Sequence, residues 1–179
     1  MADDSVLDRA GDAALALAAE RPWREVSLRD IAAKAQTPLT QLYAAAPSKW
    51  SLLAHVSARF DRAALETAAT ESDDVHDRLF DATMARVEAM EPHRLALTAI
   101  AAADTPVMLA PHLPRTARAI LEAAGVDATP PRLLAMTAVW ARTVQVWRDD
   151  EGALNRTMAE IDKRLKQMRT QLGRIRAGF

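Results

Sequence analysis

Ala13–Leu53, AALALAAERPWREVSLRDIAAKAQTPLTQLYAAAPSKWSLL, is the stretch that decides the fold. Ser27 with Asp30 three residues on has the form of a capping box, with Asp where Glu is usual, so a helix starts there. Ile31, Ala32 and Ala35 give that helix a small apolar face. Thr37-Pro38 ends it and opens a second, because proline is accepted in a first turn but not in a helix interior. Leu39, Leu42 and Tyr43 follow at helical spacing, and Pro47-Ser48 punctuates again before a longer helix. Two short helices about a tight turn make a helix-turn-helix, the unit that sets its second helix in the DNA major groove.

Outside this stretch the pattern stays helical. The chain has 179 residues, is rich in alanine and has only 5 glycines, and no segment alternates apolar and polar as a half-buried strand would. Leu53, Val56, Phe60 and Ala64 make a stripe on a connecting helix that ends near Glu71-Ser72-Asp73-Asp74. Val75, Leu79, Thr83, Val87 and Met90 mark the next helix, and another runs to about Ala103. Leu113, Ala117, Ile120 and Leu121 face inward on a helix that Gly125 terminates. Pro130-Pro131 opens a helix carrying Leu133, Met136, Trp140, Val144 and Trp147. In the last helix Leu154, Met158, Ile161, Leu165, Met168, Leu172 and Ile175 alternate steps of four and three, a heptad seam that wants a helical partner. Periodicity alone does not separate packing within the chain from packing between chains.

Composition narrows the function classes. The chain has no cysteine, so it has no disulfide frame and no thiolate chemistry. The acidic start MADDSVLDRA lacks the order of a signal peptide, and the longest apolar stretch, Leu95 to Ala103, is too short to span a bilayer. A cytoplasmic protein is expected. Net charge is -1, the basic residues of the first fifty are matched by acidic ones, and nothing between Ala35 and Ser48 is charged. Phosphate contacts would therefore come from flanking side chains and backbone amides. His55, His76, His93 and His112 are dispersed, and Asp73, Asp74, His76 and Asp77 read as a capped acidic helix start rather than a metal site. No glycine-rich phosphate loop and no serine with a neighbouring base occurs, so neither an enzyme, a cofactor nor a metal is expected.

Ala13-Ala14-Leu15-x-Leu17, Glu20-Arg21, Ser27-x-Arg29-Asp30-Ile31-Ala32, Ala35, Leu42-Tyr43 and Pro47-Ser48-Lys49-x-x-Leu52-Leu53 resemble, in register and without a gap, the N-terminal domain of TetR-family transcriptional regulators. The family usually has Gly where this chain has Gln36 and Pro22, and His-Phe where it has Ala45-Ala46. The resemblance implies an all-α, TetR-like fold, with a three-helix DNA-binding domain over 1–49 and a helical bundle for effector binding and dimerisation over 50–179. It implies a homodimeric regulator, a repressor released from double-stranded operator DNA by a small apolar effector.

On that reading Ser27, Thr37, Thr40, Gln41, Tyr43 and Lys49 belong to the DNA interface. Gln41 suits an adenine edge and Thr40 a thymine methyl. Tyr43 has two readings, a phosphate contact or an aromatic holding the short helices together. Lys49, at a helix start where a cation opposes the macrodipole, points to a nearby anion. Met84, Met108, Met136 and Trp140, with His93 as a polar handle, are candidates for an effector pocket, although plain core packing is the stronger reading for any one of them. Trp147, Leu154, Met158, Ile161, Leu165, Met168 and Leu172 are the residues of the dimer interface that the resemblance implies.

A second resemblance lies at the other end. Val146-Trp147-Arg148-Asp149-Asp150, with Thr157-Met158 and Ile161-Asp162-Lys163-Arg164-Leu165, is similar to the closing segment of a lipid-binding accessory family of ubiquinone biosynthesis. That family shares the TetR-like fold and does not act as a repressor. It implies the alternative, a lipid- or isoprenoid-binding accessory protein that no longer binds DNA.

Overall fold

The computed structural model describes residues 2–69, 72–103, 112–150 and 152–177, and all regular structure among them is helical. The order is α1 (Ala2–Glu20), α2 (Leu28–Lys34), α3 (Leu39–Ala45), α4 (Lys49–Glu66), α5 (Val75–Met90), α6 (Arg94–Ala103), α7 (His112–Ala123), α8 (Pro130–Arg148) and α9 (Asn155–Ala177). Short 3₁₀ turns lie at Trp23–Glu25, Thr67–Ala69 and Glu91–His93. Among the described residues no helix is long and apolar enough to cross a membrane.

The helix ends follow the signals in the sequence. Asp74 accepts the His76 N–H at 2.8 Å and caps α5, which accounts for the acidic cluster there. Pro130 starts α8. Gly125 ends α7 at φ +66°, with the Gly125 N–H donating to Glu122 O and the Val126 N–H to Leu121 O. That pair of bonds is a Schellman cap, which needs the left-handed conformation that glycine takes without strain.

The chain divides into two compact units, Met1–Arg59 with His93–Leu109, and Phe60–Pro92 with Ala110–Phe179. In the first unit α1 packs on α2, α3 and α6. Ala10, Ala14, Trp23, Val26, Ile31, Leu42 and Leu52 are buried at its core. A Cβ added at Gly11 would come within 2.9 Å of Val56 Cγ2, so α1 and the start of α4 meet where α1 has no side chain. A hydrogen bond between His55 and Asp8 (2.9 Å) and an ion pair from Arg59 to Asp12 (2.8 Å) tie the same two helices.

In the second unit α8 packs on α7 and α9, and α5 on α7 and α9. The α8–α9 corner is held by buried polar groups: Trp147 Nε1 donates to Glu91 Oε2 (2.8 Å), and Asp150 accepts both the Thr157 N–H (2.9 Å) and its hydroxyl (2.8 Å). The heptad seam is spent in this packing. Trp147, Ile161, Leu165 and Met168, expected at a subunit interface, are each at most 7% exposed within the single chain. Leu154 lies outside α9 in the left-handed region (φ +55°) and ends the seam one residue early, while Met158 and Leu172 stay partly exposed.

A charged pair, Arg86 and Asp61, lies deep in this unit. Arg86, on α5, donates from Nε to Asp61 Oδ1 at 2.7 Å and stacks against Trp140 and Phe60, with ring centroids 4.5 and 5.9 Å away. Asp61 also accepts the Thr116 hydroxyl at 2.8 Å, and Arg115 Nε lies 4.0 Å from its other oxygen. Burial presses Arg86 below its ordinary pKa and the Asp61 charge opposes that shift. Burial, then the Arg115 charge, also lowers the nearby His112. A histidine kept neutral in the fold contributes stability above about pH 6.5 that is lost as pH falls below it.

Three variants test this account by urea unfolding. Asp61→Asn leaves a buried guanidinium without its counter-charge and should cost about 3–5 kcal/mol, much of which the double variant Asp61→Leu/Arg86→Met should recover. Ile161→Asp places a charge in an intrachain core. It should lower stability by several kcal/mol instead of yielding a well-folded monomer.

Candidate nucleic-acid interface

The helix-turn-helix is assembled from bonds that its own residues make. The Ser27 hydroxyl accepts the Asp30 N–H (3.2 Å), and the Asp30 carboxylate accepts the Ser27 N–H (2.9 Å) and hydroxyl (2.6 Å), a complete capping box for α2. Hydrogen bonds from Ser27, side chain first, and the Arg21 cation at 3.0 Å hold the Asp30 carboxyl below its ordinary pKa. A carboxylate lowered in this way adds stability above about pH 4 that disappears as pH falls through its folded value.

α2 closes with a second Schellman cap. The Gln36 N–H donates to Ala33 O (3.1 Å) and the Thr37 N–H to Ala32 O (3.0 Å). The residue at its left-handed position is Gln36, at φ +51°. This is the site where the TetR resemblance leads one to expect glycine, and here a side chain bears the strain. Pro38 then precedes α3, whose Leu42 is fully buried against the rest of the unit.

With Leu42 turned inward, the other face of α3 meets solvent. Thr40, Gln41 and Ala44 are exposed, Tyr43 is 59% exposed and Leu39 41%. The Tyr43 ring is therefore mostly in solvent and at most partly covered by the short helices. Ala44, one turn beyond Thr40, was not singled out by its chemistry; only its spacing marks it.

The other three sequence candidates are engaged within the chain. Thr37 is 6% exposed, its hydroxyl donates to Ala35 O (3.2 Å) and accepts from Arg9 (3.3 Å), so it locks the turn and does not face a groove. Ser27 is exposed, but its hydroxyl both donates and accepts in the capping box. Lys49 donates to Trp23 O (2.9 Å), and its ammonium lies 4.5 Å from the centre of the indole ring, a cation–π contact within the chain. Neighbouring cations are occupied too: Lys34 pairs with Glu20 at 2.6 Å and Arg24 donates to Ala103 O at 3.1 Å. Arg29, in the first turn of α2, is exposed.

The effector candidates do not form one cluster. Met84, Met136 and Trp140 are buried in the second unit, where Trp140 is covered by Arg86. His93 belongs to the first unit, and Met108 lies outside the described residues. The second unit does hold an open cleft of about 850 Å³ elsewhere, floored by Leu79, Leu121, Leu165 and Met168 and rimmed by Asp127 and Arg132. None of the pocket candidates lines it. No group of three His, Asp or Glu among the described residues is placed to hold a metal ion.

Residues 12–56 match the family model of bacterial regulatory proteins of the tetR family. The fold is similar to that of a TetR transcriptional regulator from Rhodococcus sp. RHA1 at a TM-score of 0.72 and 18% identity, covering 94% of this chain and 97% of that one. It is similar to the TetR transcriptional regulator from Nitrosomonas europaea ATCC 19718 at a TM-score of 0.72 and 23% identity, covering 90% of this chain and 97% of that one. No curated protein matches the chain. The all-α, TetR-like architecture is thereby established.

The two Schellman caps give a matched pair of variants. Gln36→Gly removes left-handed strain and should raise stability by roughly 0.5–1 kcal/mol, with part of the gain offset by the freer unfolded chain. Gly125→Gln, at a position where a Cβ meets nothing within 4 Å, should lose a similar amount from backbone strain alone. Thermal melts of the two single variants read both effects.

Proposed function

We propose that the protein is a DNA-binding transcriptional regulator of TetR type, acting as a homodimer that represses its operator until a small apolar effector releases it. The observation that carries this reading is α3, held by one buried leucine at the end of a fully capped turn and offering Thr40, Gln41, Tyr43 and Ala44 to solvent. A helix docked in this way enters the major groove with its exposed side chains on base edges. Two chains would set two such helices about 34–36 Å apart, one turn of duplex. Thr40 and Gln41 read bases and Tyr43 contacts the backbone. Ser27 and Lys49 contribute only what their intrachain bonds leave over.

The cleft of about 850 Å³ is the better candidate for an effector than the buried methionines, since it has room and an apolar floor. A dimer face must use surfaces that the chain leaves open, among them partly exposed Met158 and Leu172 and Leu134, which is 73% exposed.

A second reading, a lipid-binding accessory protein of the same fold, is favoured by one specific observation. α3 shows solvent Leu39 and Tyr43 and no charge at all, an unusual face for a polyanion partner.

Gel shift with the purified protein on its own upstream DNA, beside native mass spectrometry of the same preparation, separates the two. The regulator reading expects a sequence-specific shift at moderate salt that Gln41→Ala weakens by about tenfold, the scale of one lost base contact. Lipid co-purifying with a protein that retains no DNA would overturn it.

A further inference from the structure

The side chains of α3 narrow the bases it can read. At about 100° per residue, Thr40 and Ala44 share the face opposite buried Leu42, with Gln41 beside them. Their two methyl groups lie about 6 Å apart along the axis, a span of roughly two base-pair steps. No Arg or Lys lies between Ala35 and Ser48, so the bidentate grip on guanine O6 and N7 is missing from this helix. No Asp or Glu lies there either, so nothing accepts from cytosine N4 with a charge. The Thr40 hydroxyl can bond either kind of pair, so what remains to discriminate is a carboxamide, which matches adenine N6 and N7, and apolar methyls, which match the thymine C5-methyl. Both edges belong to an A·T pair.

We propose that the half-site read by this chain is built on A·T pairs, with Gln41 bonded to an adenine edge and the Thr40 and Ala44 methyls packed on thymine methyls. The proposal rests on the DNA-binding reading and specifies its chemistry. Discrimination then comes mostly from contacts that carry no charge.

The test is selection from a randomised duplex pool with the full-length protein at one fixed salt concentration, followed by gel shifts on the enriched duplex. Deoxyuracil, which lacks only the C5-methyl, replaces each thymine in turn. Removing one contacted methyl should weaken binding roughly fourfold, the equivalent of one buried methylene. Thr40→Ser keeps the hydroxyl and removes the methyl, so it should abolish the deoxyuracil effect at one position and leave the other intact. Because the deoxyuracil measurement uses the unaltered protein, it stands even if that variant folds poorly. Enriched half-sites built on G·C pairs, or a duplex bound equally with uracil, would overturn the proposal and leave the regulator reading in place. A pool with no enriched sequence overturns both.

Discussion

Close approach of helices through alanine is the constraint on which both units depend. Ala10, Ala14 and Ala32 in the first unit, and Ala64, Ala82, Ala117 and Ala124 in the second, are almost wholly buried. An alanine side chain loses no rotamer entropy on burial and leaves the backbones close, but each one buries little apolar area. The deficit is made up by a few large anchors. Trp23 fills the first unit, and Trp140 and Trp147 the second. Each of these three tryptophans meets a charged group: Lys49 over Trp23, Arg86 over Trp140, and Glu91 accepting from the Trp147 indole N–H. Gly11 carries the alanine logic to its limit, since even one methyl there would collide with Val56.

That economy explains what was legible in the sequence. The helix-turn-helix could be read because its signals are local: the Ser27–Asp30 box, Pro38, and the Pro47-Ser48 break all act within a turn of their own position. The caps at Asp74, Gly125 and Pro130 are local in the same sense. Partners far along the chain could not be read. Arg86 occupies a helix position that looks exposed by composition, and only the fold reveals the Asp61, Phe60 and Trp140 around it. The heptad seam shows the same limit from the other side. Its period demands a helix to pack on, and the demand is met by α5 and α8 of the same chain. Lys49 and Thr37 read as outward-facing by sequence because their inward partners, Trp23 and Arg9, lie 26 and 28 residues away.

Strain at the turn bears on the placement of α3. A Schellman cap sets the direction in which the chain leaves a helix, because two bonds fix the residues on both sides of the left-handed position. Gln36 keeps both bonds in spite of the cost, and Thr37 adds a third constraint through Ala35 O and Arg9. α3 has no capping side chain of its own at Pro38. Its orientation is therefore imposed by the turn and by the burial of Leu42 rather than by its own seven residues, which are too few to form a stable helix alone. An exposed face of small uncharged side chains is compatible with such a helix, since none of them needs to contribute to holding it in place.

The C-terminal residues on which the lipid-binding reading is based have structural work of their own. Trp147 anchors the end of α8 to Glu91, while Asp150 binds Thr157 twice and starts α9 at the required angle. An acidic residue after a buried tryptophan, with threonine seven positions on, is what a buried, hydrogen-bonded corner between two long helices demands. Ile161 and Leu165 then follow as the core positions of the second helix. A pattern that a corner requires will recur wherever that corner is built, whatever the domain binds. The uncharged α3 is different in kind. Nothing in the packing of the first unit requires Thr40, Gln41 or Ala44 to be uncharged, because all three face water. Their chemistry is free to be set by whatever the helix touches, so α3 is where the two readings of this protein diverge.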